Sequence, residues 1–181
     1  MVILKRDFYS RKTIKVAKEL LGKILIRKVK NKILSGRIVE VEAYLGKDDP
    51  ASHASHGKLP RNSVMFGEPG LAYVYFCYGN HFLMNVVTEK EGTPGAVLIR
   101  ALEPLKGIAK NLTNGPGKLT KALSISKKFN SYDLTKGKEL YIVDDGFSNF
   151  KIVKTERVGI KKGKERLLRF YINGNRHISK K

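Results

Sequence analysis

Apolar side chains recur at helical spacing over residues 13–21, where Ile14, Ala17, Leu20 and Leu21 share one face and Gly22 supplies a stop. Residues 23–29 predict a strand. Over residues 33–45 the pattern turns to alternation: Ile38, Glu40, Glu42 and Tyr44 fall on one side, and Val39, Val41 and Ala43 on the other. Residues 47–69 break that order. They are polar and rich in Gly, Pro, His and Ser, and predict a long loop of the kind that carries function in a small domain. The densest β pattern follows at 71–87, LAYVYFCYGNHFLMNVV, where Gly79-Asn80 divides two runs and predicts a tight hairpin with glycine at the first central position. In its first run Tyr73, Tyr75 and Cys77 share a face, and Val74, Phe76 and Tyr78 the other. Residues 96–102, 140–143, 151–158 and 167–172 predict further strands. Short helices are expected to open at Pro104 and at Gly115-Pro116-Gly117-Lys118, the second with a Leu119, Ala122, Leu123 face. With no repeat, linker or low-complexity tract, the expected class is α+β: one mixed domain over residues 1–181, an antiparallel sheet with flanking helices and a protruding hairpin.

Composition changes the picture in one respect. The hydrophobic share of 41% is enough for a core, so wholesale disorder is excluded. The balance of 36 Lys and Arg against 16 Asp and Glu gives a net charge of +20, which points to phosphate-bearing partners. The excess is uneven, with eleven basic and two acidic residues from Lys151 onward. The single Cys77 cannot form an intrachain disulfide, and a reducing compartment is expected. No apolar run approaches the roughly 18 residues of a membrane span, and the opening Met1-Val-Ile-Leu-Lys-Arg is broken by charge too early for a signal peptide.

Four clusters could carry chemistry. Glu40 and Glu42, with Tyr44 on the same face, could hold a water against a reacting centre, or could be the solvated face of a half-buried sheet. His53 and His56 follow Asp48-Asp49, but no cysteine pair or HExxH helix completes a metal set, so they are read as loop or pocket residues. Tyr78, directly before the Gly-Asn turn, reads either as a rim tyrosine or as a wedge between stacked bases. Gly115-Pro-Gly-Lys118 lacks the P-loop pattern, since Leu112 and Leu119 occupy the required Gly and Ser/Thr positions. It remains either a plain helix cap or, with Lys118, a contact to a DNA phosphate.

Read in order, these segments resemble the alkyladenine (3-methyladenine) DNA glycosylase family over nearly the whole chain. The matching stretches include GRIVEVEAYLGKDDPASH at 36–53, PRNSVMFGEPGLAYVYFCYGNHFLMNVV at 60–87, GAVLIRALEPL at 95–105 and NGPGKLTKALSI at 114–125. The resemblance implies a catalytic carboxylate at Glu42, with Arg100 and the backbone of Val158 holding the attacking water. It implies a base pocket walled by Tyr44 and Tyr75, with His53 contacting the flipped base and Asn85 at the floor. It implies intercalation at Tyr78, with Asn80 beside it where several relatives carry methionine, and a hairpin that enters the minor groove of DNA. The loop 54–59 departs from the arginine-glycine form expected of the family.

The implied enzyme is a monofunctional, monomeric base-excision-repair glycosylase, intracellular, in the cytoplasm (nucleoid-associated) or the nucleus. Its implied partner is duplex DNA containing damaged purines, with no membrane, no metal and no cofactor. It would flip alkylated or deaminated purines (3-methyladenine, 7-methylguanine, hypoxanthine, ethenoadenine) and hydrolyse the N-glycosidic bond, leaving an abasic site. The competing classes are a noncatalytic basic nucleic-acid-binding protein and a metal-dependent nuclease using Asp48, Asp49 and His53.

Overall fold

The computed structural model describes residues 1–77 and 79–180, so the expected intercalating Tyr78 lies outside the described residues. Among the described residues nine strands form one sheet in which every pairing is antiparallel. The path runs β1 (Val2–Ile3), β7 (Leu140–Asp144), β2 (Ile24–Val29), β3 (Lys32–Tyr44), β6 (Ala96–Lys106), β5 (His81–Val87) and β4 (Ala72–Cys77). β9 (Arg169–Ile172) joins β3 and carries β8 (Ile152–Thr155). Three short helices are α1 (Arg6–Tyr9), α2 (Thr13–Leu20) and α3 (Pro116–Ala122). The 2- and 4-residue elements β1 and α1 are too short to leave a periodic signal in the sequence.

β3 organises the molecule. Its first half pairs with β2, its Glu40–Glu42 stretch pairs with β9 on that same side, and β6 covers its other edge along most of its length. Glu40 and Glu42 are therefore enclosed between strands and fully buried, which removes the solvated-face reading of these carboxylates. Strict alternation also fails here, because two register shifts leave Val39 unmatched on β3 and Arg100 unmatched on β6. Ile38 consequently joins Val39, Val41 and Ala43 in the main core instead of sharing the face of Glu40. The second shift re-aims Arg100, which the same irregularity brings to the two carboxylates.

α2 packs on β3 through Val16, Ala17 and Leu20, while Ile14, expected on the buried face, stays 36% exposed. The core also takes in Leu25, Met84, Ile99 and Phe170, each contributing about 1.5–3 kcal/mol by leaving water. No helix opens at Pro104, because that residue lies within β6, opposite Gly36. β5 pairs with β6 only through residues 96–98, so the missing Pro104 N–H interrupts no ladder on that side. The hairpin is present, with Cys77 paired to His81 and Gly79 and Asn80 in the turn. Gly79 takes a left-handed conformation with φ of 71°. Within the expected loop 47–69, Pro60–Phe66 forms a 3-10 segment.

Candidate functional site

The Glu42 carboxylate is fully buried and receives a donor on each oxygen. The Val158 amide donates to Oε1 at 2.7 Å, and the Tyr44 hydroxyl donates to Oε2 at 2.8 Å. The Arg100 guanidinium stands 3.3 Å from Oε2. Burial pushes this carboxyl above its ordinary value, although Arg100, the Val158 amide and the Tyr44 hydroxyl each pull it down. The arrangement is a carboxylate held in one orientation and made more basic than an exposed one, as a general base requires. The backbone of Val158, which the resemblance assigns to holding the attacking water, meets Glu42 through its amide.

An ion pair that patterning does not reveal builds this environment. Arg157 and Asp49 are wholly buried and bonded at both nitrogens, at 2.6 and 2.7 Å. Arg157 also donates to the Ala43 carbonyl at 3.0 Å, and its guanidinium lies 4.7 Å from the Tyr44 ring centroid. Asp49 further accepts from the amides of Leu45 and Ala51. One pair thus ties the segment carrying Val158 to the strand end carrying Tyr44. Burial alone would raise the Asp49 carboxyl, but the Arg157 and backbone hydrogen bonds outweigh it and leave it lowered. With its oxygens committed to Arg157 and to backbone, Asp49 does not present the open carboxylate that the nuclease alternative requires.

In front of Glu42 lies a cavity of about 490 Å³. Tyr44, Arg100 and Val158, all partners of Glu42, line one side, and His53, Tyr73, Tyr75 and Asn85 line another. Alternation along β4 delivers Tyr73, Tyr75 and Cys77 to it together, as their shared face predicts. Asn85 is buried opposite Tyr73 and donates to its carbonyl at 3.2 Å. His53 Nδ1 meets the Tyr73 hydroxyl at 2.9 Å, and its ring packs edge-on to Tyr75 with centroids 4.7 Å apart. Packing against these rings, and then the nearby Arg61 charge, lower the His53 pKa, so the imidazole is neutral at neutral pH. Tyr73 is therefore the residue that orients His53. Buried Asn62 fixes the following turn, donating to the carbonyls of His53 at 2.7 Å and Gly57 at 3.0 Å.

The start of α3 forms the remaining rim through Gly115, Pro116, Gly117 and Lys118. Gly117 is needed for packing, since a Cβ there would stand 2.7 Å from the His81 ring. Lys118 is exposed at the rim and donates to Asn114 at 3.0 Å. Asn80 is exposed in the hairpin connection, away from the cavity lining. The structure thus brings Tyr44, His53, Tyr75, Asn85, Arg100, Val158 and Lys118 to one cavity, while Glu42 is fully buried and is joined to the lining through Tyr44, Arg100 and Val158. No group of three or more His, Cys, Asp or Glu with metal-binding geometry occurs among the described residues.

The chain belongs to the methylpurine-DNA glycosylase family, whose sequence model matches residues 7–176. That places it in the class of DNA glycosylases, proteins of DNA repair. It is 48% identical to a protein of Carboxydothermus hydrogenoformans over 99% of this chain and 100% of that protein. It is 52% identical to one of Legionella pneumophila over 98% of each chain, and 47% identical to one of Alkaliphilus oremlandii over 98% of this chain and 99% of that protein. Each of these relatives carries the name "Putative 3-methyladenine DNA glycosylase".

Proposed function

We propose that this protein excises alkylated or deaminated purines, of the 3-methyladenine, 7-methylguanine, hypoxanthine and ethenoadenine class, from duplex DNA as a monofunctional glycosylase. The observation that carries this reading is the buried Glu42, oriented by Arg100, Tyr44 and Val158 directly behind an aromatic cavity. A base inside a duplex cannot reach such a cavity, so the nucleotide must be extruded, at a cost of a few kcal/mol that is smallest for a damaged or mispaired base. The protruding β4–β5 hairpin is the element that would fill the vacated space, with Tyr78 as the wedge and Asn80 next to it. Lys118 would hold a backbone phosphate beside the cavity.

Once extruded, a purine alkylated at N3 or N7 carries positive charge. The faces of Tyr44 and Tyr75 favour a cation by about 2 kcal/mol when it is desolvated. Asn85 at the cavity floor would discriminate against a guanine exocyclic amine, and neutral His53 would contact the base edge. As the glycosidic bond breaks, the sugar takes on oxocarbenium character. Glu42 then stabilises that charge and accepts a proton from the attacking water, while Arg100 steadies the water and the carboxylate. The products are a free base and an abasic site, and no step calls on a metal.

The test is single-turnover release of hypoxanthine or 3-methyladenine from duplex DNA, in EDTA, by wild type and Glu42→Gln. Release by wild type alone supports the reading. Equal release by both would remove Glu42 from the chemistry. Duplex binding without release by wild type would return the protein to the noncatalytic nucleic-acid-binding class.

A further inference from the structure

Glu40 is as deeply buried as Glu42 and, like it, is not part of the cavity lining, but of the groups that bond it only Arg100 reaches the cavity. Four groups converge on it. Arg169 of β9 donates to Oε1 at 2.7 Å, and Ser179 donates through its amide to Oε2 at 2.5 Å and through its hydroxyl to Oε1 at 2.8 Å. The Arg100 Nε stands 3.4 Å from Oε1. Ser179 Oγ in turn accepts from Arg100 Nε and from its terminal nitrogen, both at 3.4 Å, while Arg169 donates to the Lys180 carbonyl. The C-terminal segment is thus bonded to both arginines of the network.

The decisive feature is how the Arg100 guanidinium is divided. One edge faces Glu40 and Ser179, and another terminal nitrogen faces Glu42 at 3.3 Å. A guanidinium is a rigid planar fork, so fixing one edge fixes the aim of the rest. Arg100 also lines the cavity, and an unanchored Arg100 would be free to turn into it. We propose that Glu40, held by Arg169 and by Ser179 of the C-terminal segment, is a positioning residue that fixes Arg100 against Glu42. The inference rests on the role proposed for Glu42 above.

The charged and titratable groups facing Glu42 are Glu40 and Tyr44 on β3, Arg100 on β6 and Arg157 beyond β8. Glu40 adds negative charge next to Glu42, which disfavours its ionisation. Glu40→Gln keeps the shape and removes that charge; Ser179→Ala removes only the hydroxyl between Arg100 and Glu40.

The experiment uses the full chain as wild type, Glu40→Gln, Ser179→Ala and Ser179→Thr. Single-turnover release of hypoxanthine from duplex DNA is followed across pH in EDTA, with duplex affinity and melting temperature measured alongside. Glu40→Gln and Ser179→Ala are expected to slow release by up to about 100-fold, the scale of a misplaced catalytic group, with duplex affinity unchanged. Ser179→Thr, which keeps the hydroxyl, restores the rate. Glu40→Gln and Ser179→Ala both move the acid limb of the rate profile to higher pH, because an Arg100 no longer held against Glu42 stops drawing that carboxyl down, an effect larger than the opposing one of the Glu40 charge. A lower melting temperature with wild-type release and an unmoved acid limb would reduce Glu40 to a structural ion pair and overturn the proposal. Should Glu40→Gln fail to fold, wild-type release by Ser179→Ala overturns it alone. Failure of the underlying reading looks different: wild type would then release no base, or Glu42→Gln would match it.

Discussion

At the scale of single residues, Glu42 must lose a proton in surroundings that resist its ionisation. Below its raised pKa it is protonated and cannot accept a proton from water, so base release falls as pH drops through that value. Release should therefore begin to fail above the pH of about 4.3 where an ordinary glutamate titrates, with wild type losing activity on an acid limb that Glu42→Gln lacks. A pH profile of single-turnover rates reads this directly, and an acid limb at the ordinary glutamate position would contradict the burial argument. Tyr73→Phe is the second test at this scale. It removes the hydroxyl that meets His53 at 2.9 Å and the Arg61 carbonyl at 3.3 Å, and should cost about 1 kcal/mol of stability. The larger effect should be slower base release at unchanged duplex affinity, because the phenyl ring still fills its place but no longer orients His53. Most of these residues are legible in the chain, because Glu42, Tyr44, His53, Tyr75, Asn85 and Arg100 each sit inside a long contiguous motif. Arg157, though it opens RVGI at 157–160, a further stretch of the resemblance, shows nothing there of its buried partner, and Ser179 is not legible. Their partners Asp49 and Glu40 lie 108 and 139 residues away, and nothing in local pattern or charge selects one buried arginine from 36 basic residues.

At the scale of elements, the site depends on segments far apart in sequence being pinned to one another. The Asp49–Arg157 pair is the strongest such pin, since both side chains are fully buried. Asp49→Asn leaves a buried guanidinium uncompensated and should cost about 3–5 kcal/mol at neutral pH. The sign of its pH dependence follows from the lowered pKa of Asp49. A depressed carboxylate contributes stability above its unfolded value of about 3.9, and loses it as pH falls through the folded value. The deficit of Asp49→Asn against wild type, measured by denaturant unfolding, should therefore shrink at acid pH. The meeting of α3 with the hairpin offers a second test. Gly117→Ala puts a methyl 2.7 Å from the His81 ring and should cost about 1–3 kcal/mol. The His81 Cβ would itself stand 2.9 Å from that methyl, so His81→Gly, and not His81→Ala, should recover much of the loss, an interaction a double-mutant cycle isolates. The strands themselves were largely legible, since alternation marks β3 and β4 and apolar runs mark β2, β6 and β7. What alternation could not report is that β3 changes partner from β2 to β9. That exchange, with the bulges opposite it, turns Glu40 and Glu42 from a candidate solvated face into a buried pair. Pro104 misled for a related reason, since proline is compatible with a strand wherever one side of the ladder is unpaired.

At the scale of the whole molecule, salt should act strongly on binding through the net charge of +20 and only weakly on the buried site. Affinity for undamaged duplex comes from exposed lysines and arginines displacing counterions, so its logarithm falls with the logarithm of salt by about 0.9 per phosphate contacted. Exposed Lys118 lies on the cavity rim, and exposed Lys161, Lys162 and Lys164 follow Ile160 of the cavity lining, so several phosphates fall within reach of one footprint. Six contacts would weaken duplex binding by about 10³-fold between 50 and 200 mM salt. Glu42, by contrast, is fully buried and interacts with Arg100, Val158 and Tyr44 at 3.3 Å or less, contacts that salt screens far less than exposed ones. Once the duplex is saturated, single-turnover release should therefore change little over the same range. Lys161→Ala should reduce the salt slope of binding by about one contact while leaving the saturated rate alone. A flat salt dependence of binding would mean that the basic excess does not meet the backbone. A saturated rate falling with salt as steeply as affinity would mean instead that the surface contacts, and not the enclosed carboxylate, govern the committed step.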